Sequence, residues 1–460
     1  MQVTVTDMGL AREARARRQA ALLSTHACLL LCLTMNIAGP LKQSPLIQAS
    51  FEALLRQVTD LLKAAGLPVL HQECLTPHTG PEPYLVVSAP ALHLKRLAVQ
   101  LEDRDRLGRL MDLDVLEPSG NKLSRGDLQL PQRSCLICGQ PGRACAAGRV
   151  HSAEALYEEA CRIMRHSLLE QGIAQIANVA VKALLWELSA SPKPGLVDKH
   201  NNGAHQDMNF FTFLDSATAL QPYFARAARL GASRGMNADA FFALRAEGML
   251  AEGEMLRATR GVNTHKGAIF TLGILCAAAG HLLVGDQPFS KEALSSAAIS
   301  LTADSLIKER KNLQVPKTYG ERRMQHGLSG ARAEAAAGFP SVMETGFMAL
   351  DRAFKNSDDA DKACLEALYA IMQVTEDTVL LRRAEERGCQ NELASLLESL
   401  KSDNRPSPEQ LDARFNALGL SPGGSADLLA ASLFVLNLLK LQLPPLGVLI
   451  ESTSLQQQVE

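Results

Sequence analysis

Two hydrophobic rhythms divide the chain, and the first third mixes them. Around Leu10 to Thr25 apolar positions share a helix with a solvated face of Arg12, Arg15, Arg17 and Arg18. Cys28 to Asn36 follows as a continuous apolar run of the length of a buried strand, broken by Gly39 and Pro40. Ser44 and Pro45 open a second helix. Leu46, Phe51, Leu54, Leu55, Val58, Leu61 and Leu62 recur along it at three-to-four spacing, with Gln48, Glu52, Arg56 and Asp60 facing outward. Gly66-Leu67-Pro68 stops it. Tyr84 to Ser88, Leu97 to Glu102 and Arg109 to Leu116 are three further strand candidates, so this third is predicted to be α+β.

From Ala153 the rhythm becomes helical throughout. Helices are predicted over 154–189, 210–230, 238–259, 266–284, 291–308, 343–354, 361–373, 376–387 and 427–441. The expected architecture is therefore multidomain: an α+β domain over residues 1–150 and a larger all-α domain over 151–460, joined near 146–155. No internal repeat or long low-complexity linker separates them. The polar, glutamine-rich tail Ser452 to Glu460 is expected to fray.

Charge and composition narrow the classes. A formal charge of -2 gives no global reason to expect nucleic acid as a partner. Ten scattered cysteines in 460 residues suit reduced thiols in a cytoplasm better than a disulfide scaffold. The basic residues ahead of Ala27 to Met35 imitate a secretory signal, but Asp7 and Glu13 dilute them and Asn36 to Pro40 does not resemble a cleavage site. Ala268 to Val284 imitates a membrane span, yet it is short, alanine-rich and interrupted by Gly273, Gly280 and His281; a helix buried in a bundle is expected, with no membrane partner.

Three clusters carry candidate chemistry. The densest is Ser191 to Phe213, SPKPGLVDKHNNGAHQDMNFFTF, where Pro192, Pro194 and Gly195 end a helix. Asp198, Lys199, His200, Asn201, Asn202, His205 and Asp207 then follow in one short loop. In Met111 to Val115, Asp112 and Asp114 sit two apart, so on a strand they share a face while Leu113 and Val115 point to a core. Such a pair is either the acidic outer face of a half-exposed strand or a ligand set for a divalent cation such as Mg2+. Cys135, Cys138, Cys145 and His151 form a Cys-x2-Cys knuckle with two further ligand types, consistent with a structural Zn2+ site or with ordinary reduced thiols.

SPKPGLVDKHNNGAHQDM, RGVNTHKGAIFTLG, GARAEAAAGFPSV and SPGGSADLLA closely resemble the triphosphoribosyl-dephospho-coenzyme A synthase family of citrate lyase maturation, in family order over roughly the last two-thirds of the chain. NIAGPLKQSPLI and GRLMDLDVLEPSG resemble the citrate lyase holo-acyl-carrier-protein synthase family. The double resemblance implies a fused, bifunctional cytoplasmic transferase. One half would join ATP to 3'-dephospho-CoA with loss of adenine. The other would transfer the product to a serine of the citrate lyase acyl carrier protein with loss of pyrophosphate.

The resemblance also implies a nucleotidyltransferase-like N-terminal domain in which Asp112 and Asp114 bind Mg2+, with Arg109, Arg125 and Lys42 as phosphate partners. In the helical domain it implies Asp207, His205 and Asp215 as catalytic groups, Asp207 also as a metal ligand. Lys193, Lys199, Asn201, His265, Lys266, Arg332, Glu334, Asp377, Ser425 and Asp427 would hold the nucleotide, helped by the helix start at Gly423-Gly424-Ser425. His281 and His326 receive no role. This chain departs from the family at Val379, where an asparagine is usual, and at Ala384-Glu385, where a glycine pair is usual. The rival readings are the malonate decarboxylase counterpart and a non-catalytic nucleotide-binding helical scaffold.

Overall fold

The structure is a computed structural model that describes residues 2–313, 316, 319–324, 330–402 and 405–449. His326 and the tail Ser452 to Glu460 lie outside the described residues. The chain forms two compact units, Met1–Glu170 and Gln171–Gly447, and the division falls inside the helix Ala153–Ser189.

The first unit is built on a five-stranded antiparallel sheet of order β2-β3-β1-β4-β5: β1 Leu29–Met35, β2 Val69–Leu75, β3 Glu82–Val87, β4 Met111–Leu116 and β5 Lys122–Leu123. The apolar run that imitates a secretory core is β1, the central strand, buried from Leu29 to Leu33. One core cluster joins Leu22 and Leu23 of the helix Val5–His26 to Leu30 and Cys32 on β1, Tyr84 and Val86 on β3, and Leu116 on β4. The helix Pro45–Ala64 starts as its sequence predicts, with Ser44 Oγ accepting from the Ile47 N–H (3.2 Å) and proline in the first turn.

Two expectations for this unit are corrected. Leu97 to Glu102 is no strand but part of the helix Ala91–Arg104: buried Leu94, Ala98 and Leu101 recur at helical spacing, whereas six residues viewed alone fit either period. β2 has no counterpart among the predicted strands. As an edge strand with mostly exposed side chains it carries almost no hydrophobic alternation, and it is held by its antiparallel ladder to β3.

The second unit consists of helices joined by loops, with no strand among its described residues. Phe210 to Leu230 is two helices, Phe210–Ala219 and Gln221–Ser233, parted where Pro222 begins the second. A π-helical turn, Ser341–Gly346, leads into Phe347–Asn356. Gln390–Ser399 and Pro408–Leu418 are helices that the sequence reading left unassigned. Lys266–Val284 and Gly423–Lys440 are each apolar and long enough to cross a membrane, and both lie mostly buried within this unit.

Small residues let these helices approach. A Cβ on Gly231 would sit 1.8 Å from the Ala277 carbonyl oxygen, and one on Gly280 would sit 1.9 Å from that of Ala228. Backbone therefore packs on backbone where Gln221–Ser233 crosses Lys266–Val284. Gly231→Ala must push the pair apart, and a loss of about 1–3 kcal/mol is expected in urea unfolding of the full chain; an unchanged midpoint would show that the crossing is looser than this geometry.

Candidate functional sites

In the first unit, β4 alternates as its sequence requires. Met111, Leu113 and Val115 are buried, Asp112 is exposed and Asp114 half-buried, so the two carboxylates share one face. β4 is ladder-bonded to β1 along its length, placing Asp112 opposite Thr34 and Asp114 opposite Cys32. On its other side β5 reaches only Val115 and Leu116. The peptide groups of Leu113 are completed there by side chains of the helix Ala91–Arg104. Its N–H donates to Glu102 Oε1 (2.9 Å) and its carbonyl accepts from Lys95 Nζ (3.1 Å), both side chains being buried.

These charges line a cleft of about 1250 Å³ that also takes in Asp112, Asp114, Arg109, Lys122, Arg125 and Arg133. Lys122 Nζ pairs with Asp114 Oδ1 (2.5 Å), while Arg133 Nη1 lies 3.9 Å from Asp112 Oδ1 and 4.0 Å from Glu102 Oε1. Burial, with the Asp112 charge beside it, raises the Asp114 carboxyl above its ordinary range, against the pull of Lys122 and Lys95. Burial followed by Arg133 lowers Arg109. Arg125 is held by Asp103 and by Glu102 Oε2 (3.3 Å). Lys42, by contrast, turns back to the Ile37 carbonyl of its own loop.

Cys135, Cys138, Cys145 and His151 come together, with one ligand atom of each lying within 4.8 Å of the others. Cys135, Cys145 and His151 line the same cleft as the aspartates. Sequence separates the two clusters, and the fold merges them. Lys95, Glu102, Lys122 and Arg133 carry no motif of their own; the only sequence signal for Arg133 is its place two residues before the knuckle.

In the second unit the Ser191 to Phe213 block is fixed from within. Asp198 accepts from the backbone N–H groups of Lys193 (2.9 Å), His200 (2.7 Å) and Asn201 (3.1 Å). Asp412, on the helix Pro408–Leu418, accepts from the Gly195 N–H (3.0 Å) and from Asn201 Nδ2 (2.9 Å). Gly195 takes a positive φ of 66°, and any Cβ there would lie 2.0 Å from the Leu420 carbonyl oxygen, so the turn admits only glycine.

Lys193 is buried. Its ammonium pairs with the Glu187 carboxylate and also donates to the Glu187 carbonyl (2.7 Å). His205 Nε2 meets Ser421 Oγ (3.0 Å), Arg383 donates to its Nδ1 (3.4 Å), and exposed Asp207 lies 4.0 Å away; burial and then Arg383 lower the His205 pKa. Lys199 pairs with Asp361 (2.6 Å), Lys266 with Glu252 (2.8 Å), and Asp215 is exposed on its helix.

A second layer lies deeper. Asp377 caps the helix Thr378–Arg387, accepting from the Val379 and Leu380 N–H groups (both 3.0 Å). Its other oxygen accepts from the Ser425 N–H (2.8 Å) and Ser425 Oγ (3.0 Å), at the start of Gly423–Lys440. One carboxylate thus joins two helix N-termini. Asp427 sits against the start of a third, Lys266–Val284, where a Cβ on Gly267 would be 1.9 Å from its Oδ2. Loss of water, followed by the Glu187 and Asp377 charges, raises the Asp427 carboxyl well above the ordinary range. Burial also raises Asp377 and Glu334, the latter accepting from Ser341 Oγ (2.6 Å).

His265 stands beside this layer. Its Nδ1 meets Ser216 Oγ (2.7 Å), its Nε2 is buried without a partner among the described residues, and burial with Lys193 nearby lowers its pKa to about 3, so the ring is neutral. Arg332 is half-buried on Gly330–Ala336. The fold therefore gathers Lys193, Ser425, Asp377, Asp427 and His265, adds Glu187, and places His205 and Asp207 together with Arg383. Glu187 has no sequence signal, because it occupies an ordinary glutamate position in a long helix.

The first unit thus holds a cation-rich cleft around paired carboxylates, and the helical second unit a largely buried acidic layer. Comparison with known proteins gives the family. Residues 3–167 match the family profile CitX, apo-citrate lyase phosphoribosyl-dephospho-CoA transferase, and residues 173–444 match CitG, ATP:dephospho-CoA triphosphoribosyl transferase. The chain belongs to these two families, fused in one polypeptide.

Proteins named CitXG from Haemophilus influenzae and Leuconostoc mesenteroides subsp. cremoris are 34% and 32% identical to it, each over 93% of this chain and 94% and 95% of their own. A protein of Photobacterium profundum named probable 2-(5''-triphosphoribosyl)-3'-dephosphocoenzyme-A synthase is 38% identical over 55% of this chain and 84% of its own.

Proposed function

We propose that this chain makes and attaches the prosthetic group of citrate lyase, with synthesis in the helical part, residues 151–460, and attachment in the α+β part, residues 1–150. In synthesis, a ribose hydroxyl of 3'-dephospho-CoA attacks the anomeric carbon of ATP. The bond to adenine breaks, and the triphosphate stays on the transferred ribose. In attachment, a serine hydroxyl of the apo-acyl carrier protein attacks the α-phosphorus and pyrophosphate leaves. The observation that carries the reading is the cleft in which Asp112 and Asp114 share one strand face and which Arg109, Arg125 and Arg133 also line.

The attachment domain is nucleotidyltransferase-like in this reading. Asp112 and Asp114 offer hard carboxylate oxygens on one side of a cleft roomy enough for a hydrated cation and a phosphate tail, which fits Mg2+; that ion would neutralise the charge developing on the departing pyrophosphate. Arg133, Arg109 and Lys122 screen the same charge. Cys135, Cys138, Cys145 and His151 take a structural Zn2+.

In synthesis, Asp207 and His205 at the exposed edge, with Arg383, meet the triphosphate and acceptor, and Asp207 is the expected Mg2+ ligand of this part. Asp427, whose carboxyl holds its proton above the ordinary carboxylate range, supplies the proton that leaves with adenine. The enzyme's place with ATP, 3'-dephospho-CoA and the carrier protein is cytoplasmic.

Mass spectrometry of the citrate lyase carrier protein after incubation with the chain, ATP, Mg2+ and 3'-dephospho-CoA tests the whole scheme. An adduct of the full prosthetic group is expected, with adenine and pyrophosphate in the supernatant; an unmodified carrier overturns it. The raised Asp427 carboxyl adds a direction: a proton donor works while protonated, so adenine release should fall as pH rises through its elevated pKa. Asp427→Asn should erase that limb from the pH–rate profile, and a limb that survives the substitution assigns the proton elsewhere.

A further inference from the structure

We infer that one zinc ion bound by Cys135, Cys138, Cys145 and His151 holds the arginine-bearing wall of the transfer cleft in place, so that loading of the carrier requires zinc while synthesis of the intermediate does not. The functional half of this inference rests on the transfer reading above; the metal site itself does not.

The ligand set comes first. Four ligand atoms lie within 4.8 Å of one another, and the Cys138 and Cys145 sulfurs are 3.3 Å apart. A tetrahedron with Zn–S bonds of about 2.3 Å separates its sulfurs by about 3.8 Å, so sub-ångström movements complete it. The knuckle is already shaped: the Cys135 N–H donates to the Gln140 carbonyl (2.6 Å) around Gly139 at φ 73°, and Ser134 bridges to Pro141. His151 Nε2 is buried with no hydrogen-bond partner among the described residues, an orphan atom that a metal would satisfy.

Apolar burial does little to hold the segment. Of residues 129–152, all of them described, only Cys145 is buried. The one helix here is the six-residue Gly142–Ala147. A stretch with no apolar core of its own needs a cross-link, and a four-ligand metal provides one. Binding would release the thiol protons and leave no open coordination position, so the ion is structural.

The knuckle is fastened to the cleft at its base. The Gly142 N–H donates to the Arg133 carbonyl (2.9 Å), and the Arg133 guanidinium reaches the carbonyls of Gly108 (3.4 Å) and Arg109 (3.3 Å) and faces Asp112. Arg109 returns the contact by donating to the Ser134 carbonyl. The two arginines thus interlock across the backbone that the metal would brace. Each is a positioning element for the carboxylate face, and loosening the knuckle should displace both.

The test uses the full chain. Metal analysis after dialysis against a mild chelator should find about one zinc per chain, and replacement by Co2+ should give the absorption of tetrahedral cobalt bound to thiolates. Cys138→Ser should lose both and lower carrier loading by about 10–100-fold, with adenine release within about twofold of the parent. Arg133→Met should keep its zinc and still lose loading.

A chain that binds neither Zn2+ nor Co2+, or that carries a Cys138–Cys145 disulfide in their place, overturns the metal site. Full loading by the metal-free Cys138→Ser chain overturns the positioning role, as does equal loss of adenine release. A zinc-replete parent chain that cannot load carrier at all would instead defeat the transfer reading, while the metal content would still decide the site.

Discussion

Asp112→Asn is expected to stop carrier loading, by about 10²–10³-fold, while adenine release continues and the triphosphoribosyl intermediate accumulates. The side chain is exposed on β4, with Arg133 3.9 Å away and the Asp114 carboxylate on the same strand face, and it accepts no close hydrogen bond that the fold depends on among the described residues. Its removal takes a carboxylate from the proposed cation-binding pair without opening a cavity. Asp114 behaves differently. Because it is half-buried and paired with Lys122, Asp114→Asn should show a smaller loading defect per unit of lost cation affinity, together with a measurable stability change. Chromatography of the reaction mixture for free intermediate, beside mass spectrometry of the carrier, reads both activities in one tube. Loss of adenine release from Asp112→Asn would show that the two sites are not separate.

The second large effect falls on stability. Lys193 and Glu187 expose only 1% and 6% of their side chains and pair with each other, so Glu187→Ala strands an ammonium group in the interior. A loss of about 3–5 kcal/mol is expected in denaturant unfolding of the full chain. The double change Glu187→Leu with Lys193→Met should recover most of it, since removing both charges leaves no orphan. There is a functional signature as well: Glu187 helps to hold the Asp427 carboxyl up, so the milder Glu187→Gln should move the falling limb of adenine release to lower pH. An unmoved limb in a folded Glu187→Gln chain would disconnect Asp427 from the proton transfer.

Much of the fold was legible in the sequence for identifiable reasons. Long helices such as Ala153–Ser189 and Lys266–Val284 announce themselves by sustained runs of good helix formers, the second as one unbroken apolar, alanine-rich stretch, and β4 because Met111, Leu113 and Val115 alternate with two aspartates. The edge strand β2 was not legible, because exposed side chains carry no burial pattern and its place depends on a ladder to β3. The helix Ala91–Arg104 was mistaken over 97–102 because so short a window cannot separate a period of two from one of 3.6.

The candidate sites divide in the same way. Polar residues crowded into one loop, from Asp198 to Asp207, stand out in any reading of the chain. Glu187, Asp412 and Arg383 act on the Ser191 to Phe213 block from 6 to more than 200 positions away, and nothing local distinguishes them. The meeting of the Cys/His cluster with Asp112 and Asp114 is likewise a product of folding.

The peptide of Leu113, stitched to Glu102 and Lys95 where β5 runs out, bears on how a visiting protein can approach. An unfinished strand margin is normally an invitation for another backbone to zip alongside. Here that margin is already sealed by an acid and a base from the neighbouring helix, right beside the paired aspartates. On the proposed transfer reading the carrier therefore offers its serine away from that sealed margin, as a tip lowered into a well, and its recognition is read from side chains rather than from a shared strand ladder.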